Sequence, residues 1–177
     1  MNDLNDLNDV SDVSDVKTIE TDRLLLHPLT REEARRIVDA EPAPGDRWAE
    51  GYPGPGDARG AQNFLRGAAE RGDPGDFRAY EIRLRDGGTA VGGIGFHGPP
   101  DEHGIATVGY GLVPAVRGRG YASEALRGLV DRARAAGAAG VRGDADLDNT
   151  ASHRVMEAAG LLCDGEDERL RHYRLVF

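Results

Sequence analysis

The 177-residue chain predicts an α+β, or mixed α/β, domain over residues 18–177. Three observations carry that class. Runs with strand and helix periodicity follow in the order β-α-α-β-β-β-α-β-α-β-β, which neither alternates strictly nor keeps to one kind. Three strand-like runs stand together in the middle, at 77–85, 89–97 and 105–113, and Asp86-Gly87-Gly88 is a strong hairpin turn between the first two. The length suits one sizeable core, and 25 glycines predict frequent tight turns.

Residues 2–16 are a tandem triplet: Asn-Asp-Leu twice, Asn-Asp-Val, then Ser-Asp-Val twice. A period of three fits neither a strand nor a helix face, and Asn, Asp and Ser are weak helix formers. Residues 1–17 are therefore expected to form a disordered acidic tail. Thr21-Asp-Arg-Leu-Leu-Leu-His27-Pro28 reads as a first strand ending at the proline. Thr30-x-x-Glu33 is a capping box that opens a short helix through about Ala40.

From Glu41 to Arg59 Pro and Gly are dense, with Trp48 and Tyr52 embedded; these aromatics either line a pocket or pin the loop to the body. Asp57 can cap a second helix through Ala69. After the three central strands, the segment beyond Gly120 places Ala122, Ala125, Leu126, Leu129, Val130 and Ala133 on one helical face and closes at Gly137. Residues 141–147 read as a strand, Asn149 caps a helix that stops at Gly160, and 161–163 with 170–177 make a final hairpin.

One connection carries chemistry. Val113-Pro114-Ala-Val-Arg117-Gly118-Arg119-Gly120-Tyr121-Ala122 runs from a strand through a Gly-rich basic turn into a helix. Such a turn points several main-chain N–H groups into one concavity at a helix N-terminus, where anions bind. Arg117 and Arg119 add charge suited to phosphate oxygens. A nucleotide P-loop needs Lys then Ser or Thr after the last Gly, where this chain has Tyr121 and Ala122. A dinucleotide fingerprint meets Ser123 in place of its third Gly.

The net charge of −9, with six acids against Lys17 in the first twenty residues, argues against nucleic acid or an anionic membrane as partner and favours amine-bearing substrates. No apolar run is long enough to span a bilayer, and a cytoplasmic protein acting as a monomer or homodimer is the expectation. Cys163 stands alone, read as a buried inert thiol, and no His or Cys spacing suggests a metal.

Arg117-x-x-Gly120-x-Ala122 resembles the Q/R-x-x-G-x-G/A loop of the GCN5-related N-acetyltransferases, the GNAT family, which grips the pyrophosphate of acetyl-coenzyme A. Two further segments extend the resemblance over residues 18–177. The stretch Thr21-Asp-Arg-Leu-Leu-Leu-His-Pro-Leu is similar to the opening strand of the branch containing ribosomal-protein N-terminal acetyltransferases. Asn149-Thr-Ala-Ser152-His-Arg-Val-Met-Glu157-Ala-Ala-Gly160-Leu161 resembles that branch's N-x-x-S-x-x-x-x-E-x-x-G-F, with Leu161 for Phe.

The resemblance implies a mostly antiparallel, twisted central sheet of six to seven strands flanked by about four helices, with strands four and five splayed around the pantetheine arm. It implies acetyl-coenzyme A as acetyl donor, with no metal, and an amine acceptor. The ribosomal-protein likeness favours a protein N-terminus, but the Pro/Gly-rich Glu41–Arg59 segment, which could close over a compact pocket, tips the expectation to a small-molecule amine. Leu112 and Val113 would bond the pantetheine amides, and an N–H around Tyr110 to Leu112 would polarise the thioester carbonyl. Arg117, Gly118, Arg119, Gly120, Tyr121 and Ala122 would hold the pyrophosphate, and Asn149 would add a contact to the arm. Ser152 matches a serine assigned in that branch to protonating the departing thiolate, where other branches carry a Tyr at the position of Met156.

Thr107 stands where the family often has a Glu, which leaves the general base open among Glu102, His103, Glu81 and His97. Trp48, Tyr52, Glu81 and His97 are the expected acceptor-binding set. A non-catalytic acyl-coenzyme A-binding module is the alternative from another functional class.

Overall fold

The structure, a computed structural model, describes residues 16–177; the expected tail lies outside the described residues as far as residue 15. Val16 packs against the core and the Lys17 carbonyl accepts from Arg132 Nη2 at 3.3 Å, so the last two residues assigned to the tail belong to the folded body.

The elements are β1 (Ile19–Glu20), β2 (Leu24–Pro28), α1 (Arg31–Asp39), α2 (Pro55–Arg71), β3 (Ala79–Leu84), β4 (Ala90–Phe96), β5 (Ile105–Leu112), α3 (Tyr121–Ala135), β6 (Gly140–Asp146), α4 (Thr150–Ala158), β7 (Leu162–Glu166) and β8 (Leu170–Val176). They form one eight-stranded sheet in the order β1-β2-β3-β4-β5-β6-β8-β7 with four α-helices against it. Every strand pair is antiparallel except β5 with β6. The expected α+β class and mixed sheet are present, with one strand more than the upper expectation. The addition is the two-residue β1, which pairs Ile19 with Leu26 and Glu20 with Leu25 and leaves Thr21–Arg23 as a turn.

Local chemistry explains the helix boundaries. Thr30 and Glu33 close the predicted capping box: the Thr30 hydroxyl accepts from Glu33 N at 3.1 Å and the Glu33 carboxylate accepts from Thr30 N at 2.9 Å. The second helix starts two residues before the predicted cap. Pro55 is its first residue and Gly54 its N-cap, and Asp57 instead reaches back to accept from Gly54 N at 2.8 Å. In α3 the predicted face is buried at Ala125, Leu126, Leu129, Val130 and Ala133, with both leucines inaccessible to water. Truncating either leucine to Ala would cost about 2–5 kcal/mol. The core they enter holds Leu24, Leu26, Tyr80, Ile82, Val91, Val141, Met156, Leu161 and Tyr173.

Cys163 is exposed, contrary to the expected buried thiol, because β7 is an edge strand whose whole length faces solvent. Among the described residues no helix is long and apolar enough to cross a membrane.

Candidate active site

The parallel pairing of β5 with β6 is brief: Ile105 with Gly140, Ala106 with Val141 and Thr107 with Arg142. Beyond Thr107 the strands part, while β5 stays paired to β4 as far as Leu112. At the base of the gap Met156 fills the space: its Sδ lies 3.2 Å from where a Cβ on Gly143 would stand, beside Val108. A buried thioether thus occupies the position where the family resemblance would look for a Tyr.

The free edge of β5 can be read from its bonds on the other side. His97 N donates to Thr107 O, and Val113 N donates to Val91 O, each at 2.9 Å. Successive residues of a strand direct their main-chain groups to opposite edges. Thr107, Gly109, Gly111 and Val113 therefore serve β4, and Val108, Tyr110 and Leu112 face the gap. Leu112 lies on this gap edge, where its carbonyl accepts from Arg117 Nε at 2.9 Å. Val113, expected to bond the pantetheine arm, faces away from the gap: its N–H is used by Val91 and its carbonyl accepts from Val116 N at 3.3 Å.

After the 3₁₀ turn Pro114–Val116 the chain enters the Gly-rich loop. Gly118 (φ +77°) and Gly120 (φ +80°) both take the left-handed conformation that β-carbons disfavour. Gly120 is the N-cap of α3 and offers no side chain to it, so the amides of Tyr121, Ala122 and Ser123 have no intrahelical acceptor and converge on solvent. Arg117 and Arg119 flank this nest, both exposed. Across the gap, Asn149 Oδ1 caps α4 by accepting from Ser152 N at 3.1 Å, and the Ser152 carbonyl accepts from the Tyr110 hydroxyl at 3.1 Å.

On the opposite face of the sheet, under α2, lies a cleft of about 340 Å³. Its floor is made of glycine. Gly93 pairs with Gly111 and Gly95 with Gly109, so four side-chain positions of one face carry nothing. A Cβ on Gly111 would meet no atom within 4 Å, and one on Gly109 would stand 2.7 Å from His97 Nε2. Tyr52, Asp57, Asn63, Tyr80 and His97 are among the walls. Burial pushes the Asp57 carboxyl above the usual carboxylate range, strengthened by nearby Glu81 and opposed by the N–H groups of Gly54 and Gly93. Burial likewise drives the Tyr52 phenol far upward, and the carboxylates of Glu81 and Asp57 add to it.

The structure separates the sequence candidates. Tyr52 and His97 line the cleft. Glu81 is 4% exposed on β3, where it pairs with Gly93 and so shares the sheet face of the glycine floor; it is ion-paired to Arg83 and acts on Tyr52. Trp48 pins the loop: it bridges to Ala90, and its ring meets that of Tyr52 edge-on at 5.5 Å. Glu102 and His103 sit in the turn before β5, at the end where β5 is still paired to β6, and neither lines the cleft. Asp101 accepts the N–H groups of His103 and Ile105, which turns Glu102 and His103 out to water. The sequence reading takes Asp57 only as a helix cap and Tyr110 only for its main-chain N–H; their side chains at the site and the glycine floor were not singled out, although Gly93-x-Gly95 and Gly109-x-Gly111 on adjacent strands carry the signal. Among the described residues no cluster of three or more His, Cys, Asp or Glu could hold a metal.

A splayed parallel pair, an amide nest after it and a capped helix across the gap agree with a family model described as an acetyltransferase (GNAT) domain, which matches residues 23–162. The chain belongs to the GNAT acetyltransferase family. A curated relative, the uncharacterized N-acetyltransferase YjdG of Bacillus subtilis (strain 168), is 28% identical over 101 residues, 56% of this chain; the match spans about 60% of that relative's length. Among solved structures, a GNAT-family acetyltransferase from Bacillus anthracis is similar with a TM-score of 0.65 at 19% identity, over 90% of this chain and 98% of the other. The ribosomal L7/L12 α-N-protein acetyltransferase RimL, solved with coenzyme A, is similar with a TM-score of 0.64 at 16% identity, over 91% of this chain and 98% of the other. At those identities the two structures speak for the GNAT fold.

Proposed function

We propose that this GNAT protein transfers the acetyl group of acetyl-coenzyme A directly to the primary amine of a small molecule. The observation that carries the choice of acceptor is the glycine-floored cleft of about 340 Å³, walled by α2 and the residues after α1, which suits a compact ligand. In this reading the amides at 118–122, with Arg117 and Arg119, hold the pyrophosphate, and the gap edge of β5 takes the pantetheine arm at Leu112.

The thioester carbonyl then lies against the N–H of Tyr110 or Leu112, which stabilises negative charge as it develops on oxygen. A neutral amine in the cleft attacks the carbonyl carbon, the C–S bond breaks and the thiolate takes a proton. Ser152, on the first turn of α4, is the proposed donor of that proton. Asn149, which fixes the Ser152 N–H, is the proposed further contact to the arm. His97 is the proposed base, since of the four candidates it alone lines the cleft, with its Nε2 beside Gly109. An α-amine, titrating near pH 8, needs little help, and alignment against an activated acyl donor supplies much of the acceleration.

A protein N-terminus is the second reading, favoured by the Thr21–Leu29 stretch and the likeness to RimL. An amine panel decides: peptides with varied first residues and small polar amines are incubated with acetyl-coenzyme A and the products weighed. Acetylation confined to peptides overturns the small-amine reading. Coenzyme binding with no thiol released by any amine points to a sensing module.

A further inference from the structure

Arg23 stands on the turn between β1 and β2, far in sequence from the Gly-rich loop, yet it grips that loop. Its Nη1 donates to the Arg119 carbonyl at 2.9 Å, and its guanidinium lies 4.6 Å above the Tyr121 ring centroid. A Cβ on Gly120 would come within 3.4 Å of Arg23 Nη2. The guanidinium is itself held, because Nε donates to Glu124 Oε2 at 2.7 Å. The other oxygen of Glu124 accepts from the Thr21 hydroxyl at 2.6 Å and from Arg23 N at 2.8 Å. Both oxygens of a carboxylate in the first turn of α3 are thus committed to residues 21–23. Burial alone would raise this carboxyl; Thr21, the Arg23 amide and the Arg23 guanidinium outweigh it and hold it below the usual range.

A trans peptide points its C=O and its N–H in opposite directions. Drawing the Arg119 carbonyl toward Arg23 therefore turns the Gly120 N–H the other way, away from the guanidinium. We propose that Arg23, locked by Glu124, is a positioning residue that sets the 119–120 peptide so that the Gly120 amide faces the pyrophosphate of the acetyl donor. The inference rests on the reading of residues 118–122 as the pyrophosphate cradle. It also gives the Thr21-Asp-Arg23 turn a role that the strand itself does not require.

Acetyl-pantetheine carries the same thioester without the pyrophosphate, so the ratio of kcat/KM for acetyl-coenzyme A to kcat/KM for acetyl-pantetheine isolates what the loop contributes. A wild-type ratio well above one supports the cradle; a ratio near one overturns the cradle and the positioning role with it. Given a high wild-type ratio, Arg23→Ala and Glu124→Gln are each expected to lower it about tenfold, the scale of one hydrogen bond to a charged group. Arg23→Lys is expected to match Arg23→Ala, since one ammonium cannot serve Glu124 and the Arg119 carbonyl with the geometry of a planar fork. If Arg23→Lys keeps the wild-type ratio, or Glu124→Gln raises it, Arg23 is a direct phosphate ligand and the positioning role is wrong. Equal losses with both donors reduce Arg23 to scaffolding and also overturn it. Glu124→Gln is the milder change and serves if Arg23→Ala fails to fold.

Discussion

The phenolic hydroxyl of Tyr110 donates to the main-chain carbonyl of Ser152 at 3.1 Å, tying β5 to the first turn of α4 across the gap that opens between β5 and β6. The two residues flank the position proposed for the thioester. Burial pushes the Tyr110 phenol up to about 12, so the donor stays protonated at working pH. Tyr110→Phe is expected to cost about 1 kcal/mol of stability and to lower kcat/KM several-fold, equally across roughly pH 6–9. Chemical unfolding and a pH–rate profile measure the two effects; a stability loss with unchanged kcat/KM would confine the bond to holding the gap.

The glycine floor predicts a contrast between neighbours on paired strands. A methyl at Gly111 enters open space, so Gly111→Ala should fold with a thermal midpoint close to that of the wild type while raising the acceptor KM. The larger Gly111→Val should abolish turnover of bulky amines first. At Gly92 a Cβ would stand 2.1 Å from the Gly111 carbonyl oxygen, and Gly92→Ala should not yield folded protein. Unchanged acceptor kinetics in Gly111→Val would place the acceptor elsewhere.

Gly118 has φ +77° and empty space around its missing Cβ, so only backbone strain opposes a side chain there. Gly118→Ala should cost about 1–2 kcal/mol and raise the KM for acetyl-coenzyme A more than that for the amine. Steady-state kinetics with each substrate varied in turn checks this.

Glu33 supplies a pH dependence. Burial would raise its carboxyl, but His27 and the main-chain and side-chain groups of Thr30 outweigh burial and bring it down to about 2. A free glutamate titrates near 4.3. Because the folded value lies below the unfolded one, the contribution to stability is complete above the unfolded value and is lost as pH falls through the interval down to about 2. Thermal midpoints of wild type and Glu33→Gln should therefore differ most above about pH 5 and converge as pH falls to about 2. A constant difference across that interval would contradict the assignment.

His97→Ala should lower kcat/KM with weakly acidic ammonium acceptors more than with α-amines, because a base matters most where the neutral amine is scarce. Rates for one lysine-like and one α-amine acceptor decide it, and equal losses would remove His97 from the proton transfer.

The order of elements from β2 onward, the Thr30 and Asn149 caps and the Gly118–Ala122 turn were legible in the sequence because each depends on residues within a turn or two of one another. So was the apolar face of α3, whose periodicity needs only one helix. The base was not. Glu102, His103, Glu81 and His97 are equivalent as titratable residues on or beside the central strands, and only the register of β4 on β5 brings His97 over Gly109 while Asp101 turns Glu102 and His103 outward.

By itself, then, the chain determined its class, most of its helix ends and the Gly-rich loop proposed to hold the acetyl donor, since hydrogen-bonding rules and periodicity act locally. Tertiary structure alone decided that Leu112 rather than Val113 faces the gap, that paired glycines hollow a cleft under α2, and that Arg23 braces a loop about a hundred residues away. Those features arise from the alternation of strand edges and from contacts closed by the sheet, and they exist only once distant segments share one register.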